Sequence, residues 1–287
     1  MYIPYLQYRN TSIISYVQSD KPRHKKQTVI AFRDQSGQRV KTYTGTITAG
    51  AKKRLSKAVS LLIQSTPTRK VYNQWLQRQQ YFKINFITLT ISDSTRNLSA
   101  KEAHSELLEP MLLWLRRKQQ MRSYVWKAEL QERGQIHYHI TADCYVDLKE
   151  LRQAWNNLQE KAGLLDDFAR KYGHRNPNST DIHSVKKVKN IEAYLIKYIS
   201  KSDQNQTATT GKVWDCSTNL KKAEYYTTLS NSETETYISN GIQKGYIRPF
   251  YSTNFSIFTI IKGSIYETFT EGDKANYKTH LQAIRYG

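Results

Sequence analysis

The sequence predicts an α+β fold in which an antiparallel sheet is backed by helices, and three observations lead there. Lys83–Ser92, Ser123–Gln131 and Gln135–Cys144 carry the β-branched, alternating patterning of strands. Ser99–Gln120 and Asp147–Ala162 carry helical spacing. With a further strand and helix downstream, these segments follow the order β-α-β-β-α-β-α, the split βαβ arrangement. The chain has 287 residues, enough for such a domain with additions at both ends.

Residues 1–80 read as a basic N-terminal extension. Lys21-Pro22-Arg23-His24-Lys25-Lys26 is a charged segment, and Thr28–Phe32 and Arg39–Thr48 are predicted strands joined by the turn Asp34-Gln35-Ser36-Gly37. Ala51–Gln64 has Leu55, Val59 and Leu62 at helical spacing, with Lys52, Lys53, Arg54 and Lys57 on its other face. That face is equally compatible with solvated charge and with contact to DNA.

Residues 81–204 form the regular core. Lys83–Ser92 is the first strand. In the helix Ser99–Gln120, Ser99 is placed to cap the N-terminus with Glu102 completing a capping box, and Pro110 is expected to kink or divide the helix. Ser123–Gln131 and Gln135–Cys144 form a hairpin around Glu132-Arg133-Gly134. In the helix Asp147–Ala162, Leu148, Leu151, Trp155 and Leu158 share one side, where Trp155 and Asn156 read as packing. Thr180–Val188 is a strand and Asn190–Ser202 a helix. The polar run from Gln204 to Gly211 marks a boundary, and residues 205–287 form a Tyr-rich C-terminal region with strand-like stretches such as Ser256–Ile261.

The formal net charge is +20 and the isoelectric point is near 9.7, which favours a polyanionic partner. The surplus is uneven. Residues 1–204 hold 35 Lys and Arg against 17 Asp and Glu (+18), whereas residues 205–287 hold 9 against 7 (+2). Two distant cysteines, Cys144 and Cys216, exclude a disulfide scaffold and a four-cysteine zinc site. With no long apolar run and no signal peptide, the expected setting is the cytoplasm, with no membrane partner.

The chemistry concentrates in two segments. In the strand Gln135-Ile136-His137-Tyr138-His139-Ile140-Thr141, alternation puts His137 and His139 on the same face, roughly 7 Å apart along the chain. Two imidazoles on a rigid sheet are half of a divalent metal site, and a hard cation such as Mg²⁺ or Mn²⁺ wants a carboxylate as well. Glu129, on the preceding strand of the hairpin, would supply it if its side chain shares that face; Glu132 is the rival. Downstream, Tyr194 and Tyr198 are spaced i, i+4 and share one helix face, interleaved with Lys197 and Lys201. A tyrosine hydroxyl with a pKa near 10 needs a neighbouring cation or a polarised phosphate to act as a nucleophile. Lys186, Lys187 and Lys189, just before that helix, suit contact with phosphate. His183, on the last strand, is a weaker candidate for a metal contact.

Together these segments resemble the HUH endonucleases, and within them the rolling-circle replication initiators of the two-tyrosine type found in small single-stranded DNA phages and some plasmids. Phe86-Ile87-Thr88-Leu89-Thr90 is similar to the family's first motif, His137-Tyr138-His139 to its second, and the segment from Tyr194 to Asp203 to its third. The resemblance covers about residues 83–203 and implies a ferredoxin- or RRM-like core. It also implies an enzyme that nicks and rejoins single-stranded or hairpin origin DNA through a 5′-phosphotyrosine, leaving a 3′-hydroxyl primer. Tyr198 would then be the primary nucleophile and Tyr194 its alternating partner, although Tyr194 with Lys197 fits the Tyr-x-x-Lys pattern equally well. Glu129, His137 and His139 would hold the metal. Because the chain has no phosphate-binding loop of the Gly-x-x-x-x-Gly-Lys-Ser/Thr form, a host helicase and polymerase are the implied partners. An HUH transposase or mobilisation relaxase, or a non-catalytic DNA-binding repressor, are the alternative readings.

Overall fold

The computed structural model describes residues 3–17, 47–130, 136–184, 195–196 and 212–286. The architecture is α+β, with antiparallel sheets and helices. The chain divides into two compact units, one comprising residues 43–222 with 285–287, the other residues 1–42 with 223–284. The composition-based boundaries near residues 80 and 204 therefore differ from this grouping, which draws segments from both ends of the chain into one unit. The expected strands Thr28–Phe32 and Arg39–Thr48 are not among the described residues, apart from Ile47 and Thr48.

The larger unit is built on a five-stranded antiparallel sheet of β5 (Asn85–Thr90), β6 (Tyr124–Leu130), β7 (Ile136–Ala142), β8 (Thr180–Ser184) and β9 (Trp214–Cys216). Their order across the sheet is β8-β5-β7-β6-β9. One face carries Ile87, Leu89, Trp126, Tyr138 and Ile140, which are buried against Leu107, Leu108, Met111, Leu115, Leu151 and Trp155 of the covering helices. Those helices are α2 (Ala100–Ala103), α3 (Glu109–Lys118) and α4 (Leu148–Lys161). Burial of so many aliphatic and aromatic side chains is what fixes this face.

Local signals decide the helix boundaries. Ser99 caps α2 and Glu102 returns a bond to the Ser99 backbone, the expected capping box. The helix is divided as Pro110 requires, but the break lies upstream, in a π-turn over His104–Leu108. Proline lacks an N–H and its ring presses on the carbonyl four residues back, here Glu106, so the distortion falls in the preceding turn. Asp147 caps α4 through bonds from the Lys149 and Glu150 amides. α4 is followed by α5 (Asp166–Tyr172), which ends at Gly173 in the left-handed conformation.

α1 (Ala49–Ser65) packs against β6 and β9. A separate hairpin of β3 (Arg69–Asn73) and β4 (Arg78–Phe82) leads from α1 into β5. After β9, α6 (Thr218–Lys222) closes this unit. The smaller unit is a second antiparallel sheet in the order β10-β1-β2-β12-β11. Its strands are β1 (Tyr5–Tyr8), β2 (Ser12–Tyr16), β10 (Thr227–Leu229), β11 (Ile247–Tyr251) and β12 (Phe255–Ile260). With α7 (Ser232–Gln243) and α8 (Glu271–Tyr286) it encloses a core of Leu6, Tyr8, Ile13, Ile238, Ile247, Ile265, Phe269 and Tyr277. Among the described residues no helix is long and apolar enough to cross a membrane.

Candidate functional site

The second face of the larger sheet carries the histidine pair. Register decides which side chains meet there: Thr88 lies opposite His139 and Thr90 opposite His137 on β5, while Lys127 lies opposite His139 and Glu129 opposite His137 on β6. Since side chains alternate along a strand, Thr88, Thr90, Lys127, Glu129, His137 and His139 all project to one side. The hairpin thus brings Glu129 to the histidines. Glu132 lies outside the described residues.

His139 is buried and held on three sides. Its ring stacks on Phe86, with centroids 5.4 Å apart and planes 12° from parallel. Thr88 Oγ1 lies 3.2 Å from Nδ1, and Glu129 Oε2 lies 3.2 Å from Nε2. These partners place the proton on Nε2, which donates to the carboxylate, while the Thr88 hydroxyl donates to Nδ1. The hydroxyl can also rotate to accept from Nδ1–H, so the same partner supports the tautomer in which Nε2 is a ligand. The His137 and His139 ring centroids are 6.2 Å apart.

The second oxygen of Glu129 is taken by the Lys127 ammonium, whose side chain is only 3 % exposed. Burial works to raise the Glu129 carboxyl, but the hydrogen bonds from His139 and Lys127 and the lysine charge outweigh it and hold the pKa down at about 2. His137 is pushed down to about 4, chiefly by burial and then by the neighbouring His139, with Glu129 opposing. At neutral pH the site therefore presents a carboxylate and a neutral His137 imidazole, the protonation states in which these groups bind metal.

The donor set suits a small divalent cation, with one ionised carboxylate and two imidazoles on a rigid sheet. Among the described residues no three such side chains have converged as ligands. The carboxylate is instead engaged by Lys127 and by the His139 N–H, and these contacts must open for it to serve as a ligand. Lys127 was not anticipated from the sequence. Its signal was parity, since Val125, Lys127 and Glu129 alternate on one face of β6 and a lysine there must follow the carboxylate inward.

Other candidate residues fall elsewhere. His183 is exposed, with Nε2 2.7 Å from Asp181 Oδ2 and its ring 6.5 Å from that of Phe86. It lies opposite Phe86 on β8, so two strands separate it from Glu129. Trp155 is a core residue whose indole N–H donates to the Thr90 carbonyl at 2.7 Å. Tyr194, Lys197, Tyr198 and Lys201, together with Lys186, Lys187 and Lys189, lie outside the described residues. Between the two tyrosines, Leu195 and Ile196 are helical and Leu195 is fully buried.

Cys144 and Cys216 are both free and buried. Burial raises both thiols, Cys144 to about 12 and Cys216 to about 11, so neither is a ready thiolate at neutral pH.

Comparison with curated proteins gave no match at a meaningful level, and comparison with solved structures gave none either. Residues 84–203 match the family described as replication-associated protein ORF2, a segment that runs from the start of β5 through both tyrosines. That match is consistent with a replication initiator and supports a role for this protein in DNA replication.

Proposed function

We propose that this protein is a two-tyrosine HUH endonuclease that nicks and rejoins single-stranded DNA at an origin of rolling-circle replication. The observation that carries the reading is the shared sheet face of Glu129, His137 and His139, with Glu129 3.2 Å from His139, inside the segment that matches a replication family. When bound by these three residues, Mg²⁺ or Mn²⁺ would supply positive charge to a scissile phosphate. His139 is held in orientation by Phe86 and Thr88, and Glu129 is kept ionised by its neighbours.

In the proposed reaction the Tyr198 hydroxyl oxygen bonds to phosphorus, and the bond from phosphorus to the 3′ oxygen breaks. The tyrosine proton leaves, and the 3′ oxygen departs as a hydroxyl after taking up a proton. The phosphodiester is replaced by a 5′-phosphotyrosine of similar energy, so rejoining by a 3′ hydroxyl is the same step reversed and needs no nucleotide hydrolysis. Tyr194 would perform the second cleavage, with Lys197 and Lys201 supplying charge nearby. The partners this reading requires are origin DNA, single-stranded or in a hairpin, and a host helicase and polymerase.

The test is an end-labelled single-stranded oligonucleotide from the cognate origin, incubated with the protein and Mn²⁺ or Mg²⁺. A covalent protein–DNA band is expected, lost on chelation and in Tyr194→Phe/Tyr198→Phe. Tight binding of the cognate strand without any adduct would overturn the enzymatic reading.

A further inference from the structure

The hairpin β3–β4 has no part in the site described above, and its surface is unusual. Its outward face is Lys70 and Tyr72 on one strand with Tyr81 and Gln79 opposite them. All four are exposed, and the Lys70 ammonium sits 5.8 Å from the centre of the Tyr81 ring. At the tip Trp75 is 81 % exposed, and Tyr72 and Tyr81 are 51 % and 63 % exposed.

The tip is held in shape. The Leu76 amide donates to Asn73 Oδ1 at 2.9 Å, the Tyr72 hydroxyl donates to Gln77 Oε1 at 2.9 Å, and Gln77 takes a positive φ of 50°. At the base, Phe82 is buried edge-on against Tyr145, with the Arg69 guanidinium 5.3 Å from its ring centre. Three aromatic rings are thus presented to solvent on an ordered, anchored ribbon.

Charge narrows the partner. No Asp or Glu occurs between Asp34 and Asp93, whereas Arg69, Lys70, Arg78 and Lys83 lie in or beside the hairpin. Its remaining polar residues are mostly amides: Asn73, Gln74, Gln77, Gln79 and Gln80. Rings that stack, cations that meet phosphates and neutral amides that bond base edges are the combination that grips unpaired nucleic acid. A fully paired duplex would hide the base faces that such rings need.

We infer that the β3–β4 hairpin is a single-stranded DNA-binding ribbon, with Trp75 and Tyr81 stacking on bases and Lys70 meeting a phosphate. The hairpin runs directly into β5, whose Thr88 and Thr90 lie opposite the histidines, so its base is roughly 20 Å along the strand from that site. A strand held at one could extend to the other. This inference rests on the reading of the protein as one that handles single-stranded DNA, but not on the cleavage chemistry.

Fluorescence anisotropy with a 5′-labelled single-stranded 20-mer, in EDTA so that no cleavage occurs, tests it. The Trp75→Ala/Tyr81→Ala variant is expected to bind at least about tenfold more weakly, with less than a twofold change for blunt duplex of the same sequence. Tyr81→Phe, which keeps the ring, should retain affinity, and Lys70→Gln should flatten the salt dependence by about 0.7 in log–log slope. Single-strand affinity within twofold of wild type in the double variant would overturn the inference. So would an equal loss on duplex, or an effect confined to self-association in sedimentation. Failure to form a covalent adduct would count against the proposed nuclease and leave this binding result standing.

Discussion

Gln159 on α4 offers a quantitative test of what fixes the end of the sheet next to His137. Its side chain is fully buried. The amide oxygen accepts the Ser92 N–H at 2.7 Å, and the amide nitrogen donates to Asn156 Oδ1 at 3.2 Å and to Ser179 Oγ at 3.3 Å. Ser179 in turn donates to Asn156 Oδ1 at 2.6 Å, and its carbonyl accepts the Thr90 N–H at 2.8 Å. Thr90 is the cross-strand neighbour of His137. Replacing Gln159 with Leu nearly preserves volume, so little cavity term arises. It strips the acceptor from a buried backbone N–H, costing about 1–3 kcal/mol, and removes two further bonds worth roughly 0.5–1 kcal/mol each, for a total of about 3 kcal/mol. All five tryptophans, Trp75, Trp114, Trp126, Trp155 and Trp214, lie in the unit of residues 43–222, so tryptophan fluorescence during urea denaturation reports that unit. The transition should move down by roughly 1–2 M urea. Gln153→Ala, on the exposed side of the same helix, should stay within about 0.5 kcal/mol. A Gln159→Leu effect below about 1 kcal/mol would refute the idea that this network clamps α4 to the sheet.

Two further outcomes follow from named contacts. In EDTA, folding stability should fall as pH drops from about 6.5 toward 4, because across that window the unfolded chain protonates a His137 imidazole that burial keeps neutral in the fold; Glu129 adds a loss in the same direction only below about 4.5. Urea midpoints against pH should be flatter between 6.5 and 4.5 in His137→Asn, and an unchanged profile would show that His137 is not the group. In the smaller unit, Tyr8 is fully buried with its ring 4.4 Å from that of Phe269, so Tyr8→Ala should cost about 3–5 kcal/mol. Hydrogen exchange should then quicken at β1, β2 and β12 amides, and unaltered protection there would count against the packing described.

Much of the larger unit was legible because its signals are local. The strands β5, β6 and β7 alternate or run apolar over five to seven residues, and α4 has both its cap and its stripe in sequence. Glu129 could be placed opposite His137 because a short hairpin transmits register directly. Lys127 is harder to see, because a lysine in a strand reads as solvent-facing until the face it shares with Glu129 is known to be covered. The β3–β4 hairpin was missed because its residues are Gln, Arg and Tyr rather than β-branched, and its edges are polar. The smaller sheet was illegible for a different reason: β1 and β2 are four and five residues long, and the strands that flank them come from the other end of the chain. Neither local propensity nor composition carries information across such a separation.

That separation has a consequence for biosynthesis. The unit of residues 43–222 is continuous and can begin folding as it leaves the ribosome, but Leu6 and Ile13 must await β10 and β12, more than 200 residues later. At about 5–20 residues per second the first hairpin spends roughly 10–40 seconds with both edges open. It is therefore the natural target for a chaperone, and the stretch from which aggregation would start if synthesis were cut short before the final strands.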